Sequence, residues 1–239
     1  MVTGLRAKSR ACPSILRRFG DTSPRRLLIA SGAVAVYVTA MVDYLDHDLT
    51  FFDDRIEVGD TGIQVMMAWE EPLMCCMAEL AAGRRGDVLE IGFGMGICAT
   101  AIQKKRPRSH TIVEAHPQIV ARADEWRKAN DHDGVTLLAG RWQDVIDQLG
   151  TYDGIAFDVF GGVGQRLEFF AHLPRLLRPG AIATLWLGDD RELPADLAAI
   201  LRRDGFVWRY TRVNAIPDKR CTYSRTNEFV VPAITRPRR

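Results

Sequence analysis

The chain has 239 residues, 47% of them hydrophobic and 26% charged, which excludes wholesale disorder and a collagen-like repeat. Lys and Arg number 32 against 30 Asp and Glu, a net charge of +2 that gives no reason to expect nucleic-acid binding. The five cysteines at 12, 75, 76, 98 and 221 form no CxxC, and the adjacent Cys75-Cys76 is a poor disulfide framework, so buried free thiols in a cytoplasmic protein are expected.

Residues 1–26 are basic: Arg6, Lys8, Arg10, Arg17, Arg18, Arg25 and Arg26 stand against Asp21 alone. The uncharged stretch from Leu27 to Val42 is shorter than the about 20 apolar residues that span a bilayer. It also contains Ser31, Gly32, Tyr37 and Thr39, so no membrane partner is expected. The basic start is too long for a secretory signal, and no clean small-residue cleavage site precedes Asp43-Tyr44-Leu45-Asp46. Residues 1–45 are therefore expected to form a basic tail and a helix from about Arg26, which packs on the main domain or joins two subunits as a homodimer. Residues 46–239 make up the main domain.

From Ile63 to Ala82 apolar residues recur at helical spacing, interrupted by Pro72. Asp87 to Ile91 is a short apolar strand that runs into the turn Gly92-Phe93-Gly94-Met95-Gly96, with a helix from Ile97 to about Lys105. Further strands are expected at 111–114, 135–138, 152–158 and 181–187. Helices at 117–130, 144–149 and 167–177 separate them, the last stopped by Pro179-Gly180. A helix over 193–203 and late strands at 206–210 and 228–231 follow. Strands alternating with helices of this length predict an α/β, Rossmann-like architecture, a mostly parallel sheet with helices on both faces.

A glycine-rich turn between a first strand and a helix lets a ligand approach the backbone and meet a helix amino terminus. A dinucleotide site prefers GxGxxG, which would need glycine where Ile97 stands. Gly92-x-Gly94-x-Gly96 instead suits a cofactor without a pyrophosphate, such as S-adenosyl-L-methionine. Glu114 ends the second strand, where a carboxylate can accept both ribose hydroxyls. Asp158 ends the fourth, on the sheet edge where open parallel sheets bind ligands.

The blocks VMMAWEEPLM (65–74), VLEIGFGMG (88–96), HTIVEAHP (110–117), GRWQDV (140–145) and YDGIAFD (152–158) occur in this order. Together they resemble the guanidino-group N-methyltransferases, a family that includes guanidinoacetate N-methyltransferase and the δ-N-arginine methyltransferases of fungi and plants. The resemblance covers residues 43–235, and HTIVEAHP and GRWQDV look closer to the arginine-directed branch. It implies the class I S-adenosylmethionine-dependent methyltransferase fold, with S-adenosyl-L-methionine as methyl donor and no metal. By the same resemblance Met66 and Met74 pack near the cofactor. Gly92, Phe93, Gly94, Met95, Gly96 and Ile97 lie under its amino-acid portion. Glu114 takes the ribose, with Ala115 and His116 alongside, and Gly140 and Arg141 border the adenine. Glu70 and Asp158 match the acids that hold the substrate guanidine, with Trp69 next to Glu70, and Asp158 also lies close to the cofactor.

The chemistry agrees with that assignment. A guanidinium is planar and fits a carboxylate in a bidentate manner, so two carboxylates fix its plane and aim one nitrogen. Its pKa of about 12.5–13.8 bars deprotonation by an ordinary carboxylate before attack. The proton is expected to leave as the new bond forms, with Asp158 or Glu70 accepting it.

The sequence also departs from the family. Guanidinoacetate enzymes resemble NLTS after the fifth strand, where this chain has Leu187-Gly188-Asp189-Asp190. The donors for a substrate carboxylate are not carried over, and Asp189 suits an α-ammonium. Val-Phe-Gly-Gly after Asp158 argues against methylation of DNA bases. The chain lacks the ankyrin-like front of some protein-directed relatives. The expected substrate is thus free L-arginine, in specialised metabolism. Guanidinoacetate, protein arginine and a non-catalytic cofactor-binding subunit are the alternatives.

Overall fold

The structure is a computed structural model that describes residues 44–130, 132, 134–161 and 164–238. The basic tail, and all but the last two residues of the helix expected to end at Leu45, lie outside these, as does the homodimer contact assigned to that helix. Tyr44–Asp46 is a single 3-10 turn.

The segment that follows departs from the expected helix over 63–82. β1 (Leu49–Phe51), β2 (Arg55–Val58) and β3 (Ile63–Met67) form a small antiparallel meander. A 3-10 turn over Ala68–Glu70 leads into α1 (Glu71–Ala82). Pro72 is the physical reason for the split. Proline is tolerated in the first turn of a helix, where its missing N–H has no partner to lose, and not in a helix interior.

The remaining strands are β4 (Asp87–Ile91), β5 (Ser109–Glu114), β6 (Val135–Ala139), β7 (Tyr152–Phe157), β8 (Leu177–Leu185), β9 (Val207–Asn214) and β10 (Glu228–Thr235). They build one sheet in the order β6-β5-β4-β7-β8-β10-β9. β4 to β8 pair in parallel, and β10 inserts antiparallel between β8 and β9. The helices are α2 (Ile97–Lys104), α3 (Pro117–Ala129), α4 (Trp142–Val145), α5 (Gly164–Ala171), α6 (Leu173–Leu176) and α7 (Ala195–Arg203).

A parallel sheet covered on both faces reads as near-continuous apolar runs, and β4 shows why. Leu89 and Ile91 face the cluster that holds Phe157, Phe169, Phe170 and Leu197. Val88 faces the opposite cluster with Met74, Met77 and Ile102. Phe157 stacks on Phe169 at 4.6 Å, fixing the end of β7 against α5. The expected single helix over 167–177 is instead α5 and α6, with Pro174 in the first turn of α6. β8 begins at Leu177 and passes through Pro179 and Gly180 at a register irregularity of its pairing with β7, where the ladder can spare a donor. Cys98 and Cys221 are buried free thiols as expected, whereas Cys75 is exposed.

Strand order reverses at β4, which has β5 on one side and β7 on the other. Such a switch point leaves a crevice outside the carboxyl ends of the strands.

Candidate active site

The glycine turn occupies that crevice. Gly92 has φ 92°, and a Cβ there would lie 1.8 Å from the carbonyl oxygen of Asp158. Only glycine lets the end of β7 come this close, and the Asp158 N–H then donates to the Ile91 carbonyl at 2.9 Å. Beyond it, a Cβ on Gly94 would meet the Met66 sulfur at 2.5 Å, while that sulfur accepts the Met95 N–H at 3.2 Å. Met66 therefore packs on the turn itself. Met74 lies one layer deeper, fully buried in the same apolar cluster, with Met95 and Ile97 packed against it.

Glu114 is 4% exposed, and its carboxylate is already held at both oxygens. Oε2 accepts the Phe93 N–H and Oε1 the His116 N–H, each at 2.8 Å. Each oxygen keeps a second lone pair, so the group is fixed in place with acceptor capacity to spare. His116 has a structural task. Its Nδ1 accepts the Gln118 N–H at 3.2 Å as the N-cap of α3, and its Nε2 lies 3.0 Å from the His47 carbonyl oxygen. Ala115 sits between these two. The Gly140 N–H donates to the Glu114 carbonyl at 2.8 Å, and Arg141 is the exposed N-cap residue of α4.

A small backbone cradle, a fixed carboxylate and a helix amino terminus fit the amino-acid and ribose portions of S-adenosylmethionine. Glu114→Ala is expected to weaken binding of S-adenosylhomocysteine by about 1.5–3 kcal/mol, the usual worth of a hydrogen bond to a charged group. Calorimetry tests this, and an unchanged affinity would remove Glu114 from the ribose site.

The second half of the site begins at Glu70, which closes the 3-10 turn before α1 and is 4% exposed. Its Oε1 accepts the Met67 N–H at 2.9 Å and the Tyr223 hydroxyl at 2.6 Å. Among the described residues no hydrogen bond reaches Oε2. Burial pushes the carboxyl up to about 8; the charge of Asp158 adds to the rise, and the two donors oppose it. Asp158, just past β7, is pushed up to about 6, chiefly by burial, with Arg166 opposing and Glu90 and Glu114 adding. Glu90 lies on β4, bonded to the His110 ring at 2.8 Å.

Sequence reasoning missed Tyr223, Trp186 and Arg166. Tyr223 lies between β9 and β10, and its ring centroid is 5.8 Å from that of Trp69 and 6.1 Å from that of Trp186. Its loop is pinned across the small meander: the Gln64 side chain donates to the Arg220 carbonyl at 2.8 Å and accepts the Thr222 N–H at 2.9 Å. Asp158, Arg166 and Trp186 share a narrow cleft with Phe157, Val159 and Gly161. Asp189, itself exposed, bonds to the loop of Tyr223, accepting the Ser224 hydroxyl at 2.6 Å. A more open groove of about 550 Å³ between α3 and β6 is lined by none of the candidate residues. Among the described residues no group of His, Cys, Asp and Glu is placed to hold a metal.

Sheet order and the glycine turn between β4 and α2 together define the class I S-adenosylmethionine-dependent methyltransferase fold. Solved structures share it: precorrin-6y C5,15-methyltransferase from Geobacter metallireducens GS-15 superposes with a TM-score of 0.55 at 15% identity, over 74% of this chain and 92% of that one. An O-methyltransferase family protein from Burkholderia thailandensis gives 0.52 at 15% identity, over 71% and 57%. The chain belongs to the guanidinoacetate N-methyltransferase family, whose profile matches residues 39–186. It is 37% identical over 176 residues to protein arginine N-methyltransferase 2 of Yarrowia lipolytica, covering 66% of this chain and 36% of that protein. With the protein of the same name from Saccharomyces cerevisiae it shares 33% over 219 residues, 80% of this chain and 52% of that one. The chain thus spans about a third to a half of the length of these curated relatives. Among the described residues no helix is long and apolar enough to cross a membrane.

Proposed function

We propose that this chain methylates a guanidino nitrogen, with free L-arginine as the favoured substrate. The observation that carries the reading is the buried Glu70, whose Oε2 takes no hydrogen bond among the described residues, within electrostatic reach of Asp158 just past β7. A buried and a half-buried acid, both with raised proton affinity, are a poor arrangement for the protein by itself and a good one for a planar cation. Oε2 of Glu70 is the oxygen left for a guanidinium N–H, since both of its protein donors fall on Oε1.

S-adenosylmethionine, when bound, supplies an electrophilic methyl group on sulfur. Asp158 and Glu70 orient the guanidinium plane so that one nitrogen faces that methyl, and orientation of this kind is worth about 7–11 kcal/mol. As the nitrogen gains the methyl it must shed a proton. Glu70 has the higher proton affinity of the two acids and is the better acceptor at Oε2, while Asp158 remains anionic and holds the plane. The aromatic rings of Trp69, Tyr223 and Trp186 supply a low-polarity wall on which a guanidinium stacks.

The test is methyl transfer with L-arginine, guanidinoacetate and an arginine-containing peptide at equal concentrations, with products identified by mass spectrometry. N-methylarginine should dominate. Equal or faster methylation of guanidinoacetate would remove the preference for arginine, preferential peptide methylation would make the chain protein-directed, and no guanidino methylation would end the whole reading.

A further inference from the structure

A site for a cation has no use for a second cation beside it, yet Arg166 lines the same cleft as Asp158 and Trp186. It is the third residue of α5 and only partly exposed. Burial lowers its proton affinity, and the charges of Asp158 and Asp190 oppose that. Among the described residues no hydrogen bond or ion pair holds its guanidinium. Arg55 and Arg178, also half-buried, are each bridged by two acids, Asp54 with Glu57 and Asp87 with Asp153. Arg166 is thus a partly desolvated cation with compensation only at a distance, in the wall of the candidate substrate site.

Loading the site makes that imbalance worse. The substrate guanidinium engages Asp158, which together with Asp190 favours the charged form of Arg166. The methyl donor adds one net positive charge, the guanidinium a second and Arg166 a third, against Glu70 and Asp158, with Glu90, Glu114 and Asp190 acting from further off. Among the described residues none of these acids bonds to Arg166, so a carboxylate on the substrate would be its direct partner. The Leu187-Gly188-Asp189-Asp190 stretch brings acidic side chains rather than donors, and Asp189 is tied to Ser224. Resting on the guanidino-methyltransferase reading above, we propose that Arg166 is the receptor for the substrate's α-carboxylate, making this a site for a free guanidino amino acid. Asp190, exposed and within electrostatic reach of Arg166, offers the opposite charge to the α-ammonium beside that carboxylate. An arginine inside a polypeptide presents neither charge, and agmatine lacks the carboxylate.

The experiment compares L-arginine with agmatine on wild type and Arg166→Gln, by turnover and by calorimetric binding with S-adenosylhomocysteine present. Wild type should prefer L-arginine, and Arg166→Gln should shrink the L-arginine to agmatine ratio by about 10- to 100-fold, the range for a lost charge-assisted hydrogen bond. An unchanged ratio in the variant, or a wild type that takes agmatine as well as L-arginine, would overturn the assignment. A fall in S-adenosylhomocysteine affinity with the ratio intact would place Arg166 on the cofactor and overturn it as well. Absence of turnover on any guanidine counts against the methyltransferase reading instead. The binding ratio still decides the role of Arg166 in that case.

Discussion

Asp158→Asn is expected to lower kcat by about 10²–10⁴-fold, the range for losing a positioned acid–base or charge-stabilising group. Asparagine keeps the shape of the side chain, and the backbone bond from the Asp158 N–H to the Ile91 carbonyl does not involve the carboxyl at all. The fold should therefore survive, and thermal unfolding should show it. The loss is of the anion that holds the guanidinium plane. A second consequence separates this account from a merely structural one. The charge of Asp158 raises the proton affinity of Glu70, so the residual activity of Asp158→Asn should extend to lower pH than that of wild type. A variant with near-normal kcat, or one whose defect is confined to stability, would make Asp158 a strand-end acid and nothing more.

The sequence exposed the parts of the site that are local in the chain. Strand β4, its glycine turn and α2 are contiguous, and β5 ends at Glu114 ten residues after α2, so spacing alone brings out the glycine turn and this acid as candidates for the cofactor. Glu70 and Asp158 were found because they sit in the blocks WEEPLM and YDGIAFD. What stayed hidden is long-range. Tyr223 reaches Glu70 across 153 residues, and no periodicity carries that information. Asp189 looked free for a ligand until its bond to Ser224 was visible, 35 residues away. Arg166 was hidden by its setting, since on a short helix after a glycine-rich loop it resembles any solvated arginine. The meander is hidden in the sequence because IQVMM has the same apolar density as the helix that follows it, and only pairing with β2 decides for strand.

The acid limb of kcat/KM should fall near pH 8, with Glu70 as its cause. Glu70 must be anionic to accept a guanidinium N–H, and in the free protein its carboxyl is pushed up to about 8 by burial and by Asp158. Activity at low substrate should rise with pH, about tenfold per unit below that value, and level off above it. The substrate guanidinium adds no limb of its own, because it stays protonated to about pH 12.5. Asp158, at about 6, steepens the fall further down. Stability has the opposite sign in the empty protein. A carboxyl raised from 4.5 to about 8 by folding favours the folded state while it is protonated, and that contribution is lost as pH rises through about 8. A bound guanidinium compensates the anion and should recover the loss, so the rise in Tm on adding substrate should grow with pH. Tyr223→Phe makes the case specific. It deletes the hydroxyl that favours the anionic form of Glu70 from 2.6 Å away, without removing the ring between Trp69 and Trp186. A hydrogen bond to a charged group is worth about 1.5–3 kcal/mol, so the limb should move about one to two units to higher pH. An acid limb that stays in place in Tyr223→Phe would separate the phenol from Glu70's titration. A wild-type kcat/KM that is flat from about pH 6 to about pH 9 would show that Glu70 is already ionised in the free protein, against the burial that defines this half of the site.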